Sequence, residues 1–165
     1  MEDKKLNLFI VNNDPLLIST LKAYLEDCFK NSLKISTFTD WENCLTAVSE
    51  DTDIVILDYF LKNKNVGLKV LKAIKKINPI TEVIMFSSNQ DLAQAIDSIR
   101  LGAKDSIIKG RKGSLRKIIS LVGKIVQAPI RILVKEFGVS KYLAIFLMTF
   151  FTMCLIVLFT MKVFL

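Results

Sequence analysis

With 165 residues, the chain has room for one compact domain of roughly 100–150 residues plus an appendage. Its 52% hydrophobic content and mean hydropathy of +0.42 are high for a wholly soluble domain, and the absence of histidine excludes imidazole-based chemistry by this chain itself. The net charge of +7 is uneven: residues 1–109 carry 14 Lys/Arg against 15 Asp/Glu, residues 110–141 carry 8 Lys/Arg against one Glu, and Lys162 adds the last positive charge. Cys28, Cys44 and Cys154 have neither metal-ligand nor CxxC spacing, so they read as free apolar residues in a reducing compartment.

In chain order, Met1-Glu-Asp-Lys-Lys lacks the organisation of a signal peptide. Leu6–Val11 reads as a first strand. Asp14 then caps a helix whose first residue is Pro15, with Leu17, Leu21 and Leu25 as its apolar stripe. Leu33–Phe38 alternates as a half-exposed strand should, and Asp40 caps a short helix holding Trp41, Cys44, Leu45 and Val48. Asp53-Ile54-Val55-Ile56-Leu57-Asp58 is an apolar run ending in a carboxylate, the pattern of a strand buried on both faces. A polar loop over 62–67 leads into a helix from Leu68 to Ile77, stopped by Asn78-Pro79. Val83–Phe86 is a fourth strand, followed by a helix from about Asp91 to Leu101 with Gly102 as its C-terminal cap. Ser106–Ile108 is a short fifth strand, and Ser114–Gln127 a fifth helix with Leu115, Ile118, Ile119, Val122 and Ile125 inward. Strand and helix alternate five times with short connections. The economical arrangement is an α/β fold, a doubly wound five-stranded parallel sheet with helices on both faces.

The C-terminal part differs in kind. Ile130–Phe137 is short and amphipathic, Gly138–Ser140 a hinge, and Tyr142–Met161 a run of 20 residues without charge, glycine or proline. At about 1.5 Å per residue that run covers roughly 30 Å, the thickness of a bilayer's hydrocarbon core. A core helix apolar on every side would need a far larger soluble domain to cover it. The expectation is therefore a domain over 1–127, a basic juxtamembrane linker over 128–141 and a single-pass transmembrane helix over 142–165. The domain would lie on the cytoplasmic side of the inner (cytoplasmic) membrane, with the basic cluster against anionic lipid headgroups rather than nucleic acid. The span has no GxxxG pattern for close self-pairing.

The polar residues gather where the strands end: Asn12-Asn13 after strand one, Asp58 after strand three, Ser87-Ser88 after strand four and Lys109 after strand five. In a doubly wound sheet these carboxyl ends converge on one crevice. A carboxylate, a hydroxyl and an ammonium meeting there suit a phosphoryl group, with the carboxylate as nucleophile and the other two holding phosphoryl oxygens. Taken singly, Asp58, Ser87 and Lys109 read as surface polar residues; together they define a site.

At these residues the chain resembles the receiver domains of bacterial two-component response regulators, from about Leu6 to Val126. The resemblance rests on VNNDPLL (11–17), DIVILDYFL (53–61), GLKVLKAIKKINP (67–79), EVIMFSS (82–88) and GAKDSIIK (102–109). It implies a flavodoxin-like (βα)5 sandwich and a phosphorelay signalling module rather than an enzyme. Asp58 would be the phosphoacceptor from a sensor histidine kinase or phosphotransfer protein, Ser87 the switch hydroxyl and Lys109 the phosphate-pairing lysine. It also implies a Mg²⁺ site at Asn13, Asp58 and the Phe60 backbone, with Asn12 or Asp14 as a further donor. The departures are specific. Asn12-Asn13 stand where the family has an acidic pair, so Mg²⁺ binding should be weak or absent. Ser106 stands at the aromatic switch position, Gly110 replaces the proline after the lysine, and the loop after Asp58 is one residue longer. The resemblance with these departures implies an atypical receiver, expected to be tethered at the membrane and to act through contact with a downstream protein. The alternative is a phosphorylation-independent pseudo-receiver serving as a docking or assembly module. A flavodoxin-like cofactor binder is disfavoured, because Asn12-Asn13-Asp14-Pro15 lacks the small residues that cradle a phosphate.

Overall fold

The computed structural model describes residues 5–61, 66–88, 92–128 and 141–164. In chain order the elements are β1 (Leu6–Val11), α1 (Pro15–Phe29), β2 (Leu33–Phe38), α2 (Trp41–Ala47), β3 (Thr52–Leu57), α3 (Gly67–Ile77), β4 (Glu82–Ser87), α4 (Leu92–Arg100), β5 (Asp105–Ile108), α5 (Ser114–Val126) and α6 (Lys141–Phe164). They fall into two compact units, Met1–Gly123 and Lys124–Leu165.

In the first unit the five strands form one parallel sheet of order β2-β1-β3-β4-β5. The chain steps outward from β1 to one edge, then back across it to the other, which is the doubly wound arrangement expected. β3 is buried along its whole length, as its unbroken apolar run requires. Alternation along the strands divides the core. Phe9, Val11, Val55, Leu57, Val83 and Met85 pack with Cys44 of α2 and Val70, Leu71 and Ile74 of α3. The intervening residues Leu8, Ile10, Ile54, Ile56 and Ile84 are buried on the opposite face, and so are Ile18, Leu21 and Leu25 of α1 and Ile118 and Val122 of α5. On α1 the stripe is shifted by one from the Leu17 expected: Ile18 is buried and Leu17 half-buried. Burial pushes the Cys44 thiol up to about 12, consistent with its role as an apolar core residue.

The amino ends of the central strands are tied together by side chains. Asn78 Nδ2 donates to the carbonyls of Ser49 (3.2 Å), Glu50 (3.1 Å) and Thr52 (3.2 Å), and Thr81 Oγ1 donates to Thr52 O at 2.9 Å. Lys75 Nζ reaches the carbonyls of Pro79 (3.2 Å) and Thr81 (2.7 Å).

The second unit contains α6. The transmembrane anchor and the single-pass location in the cytoplasmic membrane are overturned: among the described residues no helix is long and apolar enough to cross a membrane. Contact with lipid headgroups rested on the same span and has no support among the described residues. The amphipathic segment, the hinge and nearly all of the linker lie within 129–140, outside the described residues.

Candidate functional site

The carboxyl ends of β1, β3, β4 and β5 form one rim of the sheet. The ladder extends one hydrogen bond beyond the strands and so fixes the backbone of the site. Asp58 N donates to Val11 O at 3.0 Å, and Lys109 N donates to Ser87 O at 2.8 Å. Asp58 is only 3% exposed, and its two carboxylate oxygens are both engaged. Oδ2 accepts from Lys109 Nζ at 2.6 Å, and Oδ1 accepts from the Phe60 amide at 3.1 Å. A short charge-assisted bond of this kind, at a site withdrawn from water, is strong and directional. Lys109 Nζ also lies 5.7 Å from the centre of the Phe86 ring.

Ser87 completes the group from the last position of β4. Its side chain is fully buried, and its Oγ has no hydrogen-bond partner. A buried hydroxyl left unpaired costs about 1–3 kcal/mol, so its retention at the rim beside the Lys109 strand calls for an explanation.

α3 is seated against this rim by Gly67. Its amide donates to Tyr59 O at 3.0 Å, and a Cβ built there would stand 2.6 Å from Tyr59 Cα and 2.7 Å from Asp58 O. No side chain fits between the helix start and the residues carrying the site.

The donors do not fit Mg²⁺. This ion needs hard, mostly anionic oxygens in near-octahedral array. Among the described residues no group of three His, Cys, Asp or Glu side chains is placed to hold a metal. Asn12 is buried, and its Oδ1 accepts from the Asp14 amide at 2.9 Å. Asp14 is exposed and caps α1, Oδ1 accepting from the amides of Leu16 and Leu17. Asn13 is exposed and carries no charge, and both Asp58 oxygens are already bonded. The expected ligand set of Asn13, Asp58 and Phe60, with Asn12 or Asp14, therefore offers two carboxylates at most, Asp14 engaged in capping α1 and Asp58 paired with a lysine.

Fold and site together define a parallel α/β module with an aspartate, a lysine and a hydroxyl at the carboxyl rim of the sheet. The response regulator receiver domain family matches residues 8–120, and the chain belongs to it. It is 35% identical over 101 residues to the chemotaxis protein CheY of Listeria monocytogenes, covering 57% of this chain and 84% of that one. It is 30% identical over 105 residues to the transcriptional regulatory protein MalR of Bacillus subtilis, covering 63% of this chain but only 44% of MalR. Among solved structures it is similar to the receiver domain of NtrX from Brucella abortus (TM-score 0.62, 25% identity, 73% of this chain and 98% of that one). It is also similar in fold to a CheY-like receiver domain protein from Methanospirillum hungatei JF-1 (TM-score 0.65, 18% identity, 74% and 94%). Receiver domains are signalling modules that interact with histidine kinases or phosphotransfer proteins.

Two contributors to the site escaped the sequence reading. Gly67 falls at the end of the polar loop expected over 62–67, although a glycine opening an apolar-periodic helix is a signal for close backbone approach. Phe86 read only as a core residue, because nothing in a strand's alternation tells which ring will lie beside a lysine.

Proposed function

We propose that residues 1–127 act as an atypical receiver in which Asp58 accepts a phosphoryl group from a histidine kinase or phosphotransfer protein. The single observation that carries this is the buried, unpartnered Ser87 hydroxyl beside the Asp58–Lys109 pair. In the transfer, an Asp58 carboxylate oxygen attacks the donor phosphorus. The new O–P bond forms as the donor's bond to phosphorus breaks, and the leaving group departs with that electron pair. Lys109 then pairs with phosphoryl oxygens instead of the bare carboxylate, and Ser87 donates to one of them. The output is contact with a downstream protein. Mg²⁺ binding is weak or absent, because Asn12 and Asn13 bring no charge.

The test is incubation of the full chain with acetyl phosphate, with and without Mg²⁺, followed by intact-mass spectrometry. We expect a base-labile phosphoryl adduct that is absent from Asp58→Asn and reduced in Ser87→Ala. No adduct in the unaltered chain under either condition would sink the proposal.

A second reading, a phosphorylation-independent docking or assembly module, is favoured by one feature: the 2.6 Å Asp58–Lys109 pair is charge-balanced with no further ion. On that reading Asp58→Asn leaves partner binding unchanged.

A further inference from the structure

A cavity of about 650 Å³ opens between α1, the end of β4 and the loop joining β5 to α5. This is within the roughly 300–1,000 Å³ typical of small-molecule sites. Lys109, Arg111, Lys112 and Arg116 line it, and no acidic residue does. Lys109 is already paired with Asp58, while the side chains of Arg111, Lys112 and Arg116 have no carboxylate partner among the described residues. By contrast Lys117, one residue on, pairs with Asp105 at 3.0 Å and lies outside this lining. The cavity thus gathers three uncompensated cations in one concave place, where their field is focused rather than spread.

The rest of the lining is largely an apolar wall: Leu17, Phe86, Leu115 and Ile119, with the half-exposed Tyr24 ring. Gly110 and Gly113 bracket Arg111 and Lys112 with φ of +73° and +89°, and nothing stands within 4 Å of where a Cβ would be at either. The backbone there is open to close approach, and the positive end of α5 adds to the field.

We propose that this cavity binds a small phosphate-bearing molecule with a flat apolar body, the chemistry of a mononucleotide. Three free cations, two of them planar guanidinium forks, match a dianionic phosphate better than a single carboxylate. The apolar wall and Tyr24 take the ring. The site is separate from the Asp58 crevice, and Lys109 and Phe86 are the residues they share.

The test is calorimetric titration of the full chain with ADP, inorganic phosphate and adenosine. ADP should saturate with Kd below about 1 mM and bind at least about tenfold tighter than either phosphate or adenosine. Its affinity should fall as salt rises. Arg111→Gln combined with Arg116→Gln should weaken ADP at least about tenfold, and Tyr24→Ala should weaken ADP while leaving phosphate unchanged. Lys117→Gln, outside this cavity, should change neither, and circular dichroism of each variant verifies its folding. Absence of saturable ADP binding at millimolar concentration overturns the proposal. So does adenosine binding as tightly as ADP, phosphate binding as tightly as ADP, or ADP affinity insensitive to the arginine variants.

Discussion

Asp58 and Lys109 are each other's main compensation, and that makes them fragile separately. Their side chains are 4% and 15% exposed at a separation of 2.6 Å. Removing one partner of such a pair leaves the other charge buried and uncompensated, at about 3–5 kcal/mol, while removing both leaves no charge to desolvate. Lys109→Met should therefore lower stability by about that amount, and Lys109→Met with Asp58→Asn should recover most of it; urea denaturation measures both. Lys75 gives a pH dependence. Burial lowers its pKa from an ordinary value near 10.5, with Glu82 raising and Lys104 lowering it further. The unfolded chain then holds more protons at this position than the folded one in the window ending near 10.5. Stability contributed here rises with pH through that window. The unaltered protein should gain on Lys75→Met as pH increases towards 10.5, measured by urea midpoints of the two side by side. At this scale Asp58, Ser87 and Lys109 were legible, because a strand end names its own last residue. The bond from Asn12 Oδ1 to the Asp14 amide and the engagement of both Asp58 oxygens were not, since they depend on rotamers.

Helix α3 can close on the rim only because its first residue lacks a side chain. Gly67→Ala must displace the backbone of Tyr59, and overpacking of that kind costs about 1–3 kcal/mol. Gly123 lies inside α5, where an added Cβ would meet only the Phe29 ring at 3.7 Å, an ordinary contact. Gly123→Ala should be neutral or stabilise by up to about 1 kcal/mol, through helix propensity. Thermal denaturation should show a lower midpoint for Gly67→Ala and an unchanged or higher one for Gly123→Ala. All ten elements of the α/β module were readable from the sequence, because apolar runs, the Asp14 and Asp40 caps and Gly102 agree with one another. Boundaries moved by one or two residues, as at β3, which begins at Thr52 rather than Asp53.

At the level of the whole molecule, alternation and handedness sufficed to anticipate the sheet and its helices. The second unit departs from the membrane span its hydropathy suggests. Hydropathy measures departure from water and does not name the apolar medium that replaces it. Phe146, Phe150, Phe151 and Phe159 are exposed on α6, and surfaces of that kind mark a contact of some sort.

The ties at Asn78, Thr81 and Lys75 lie at the end of the sheet away from Asp58. They make the fold mechanically one-sided: the amino rim is clasped by side chains to backbone, while the carboxyl rim carries the Asp58–Lys109 side-chain pair. Local opening should therefore start at the carboxyl rim and run inward along the strands. In hydrogen exchange, amides at Asp58 and Lys109 should exchange faster than those at Ile54 and Ile84. Asn78→Ala should erase that gradient by loosening the clasped end, so that the sheet opens from both rims.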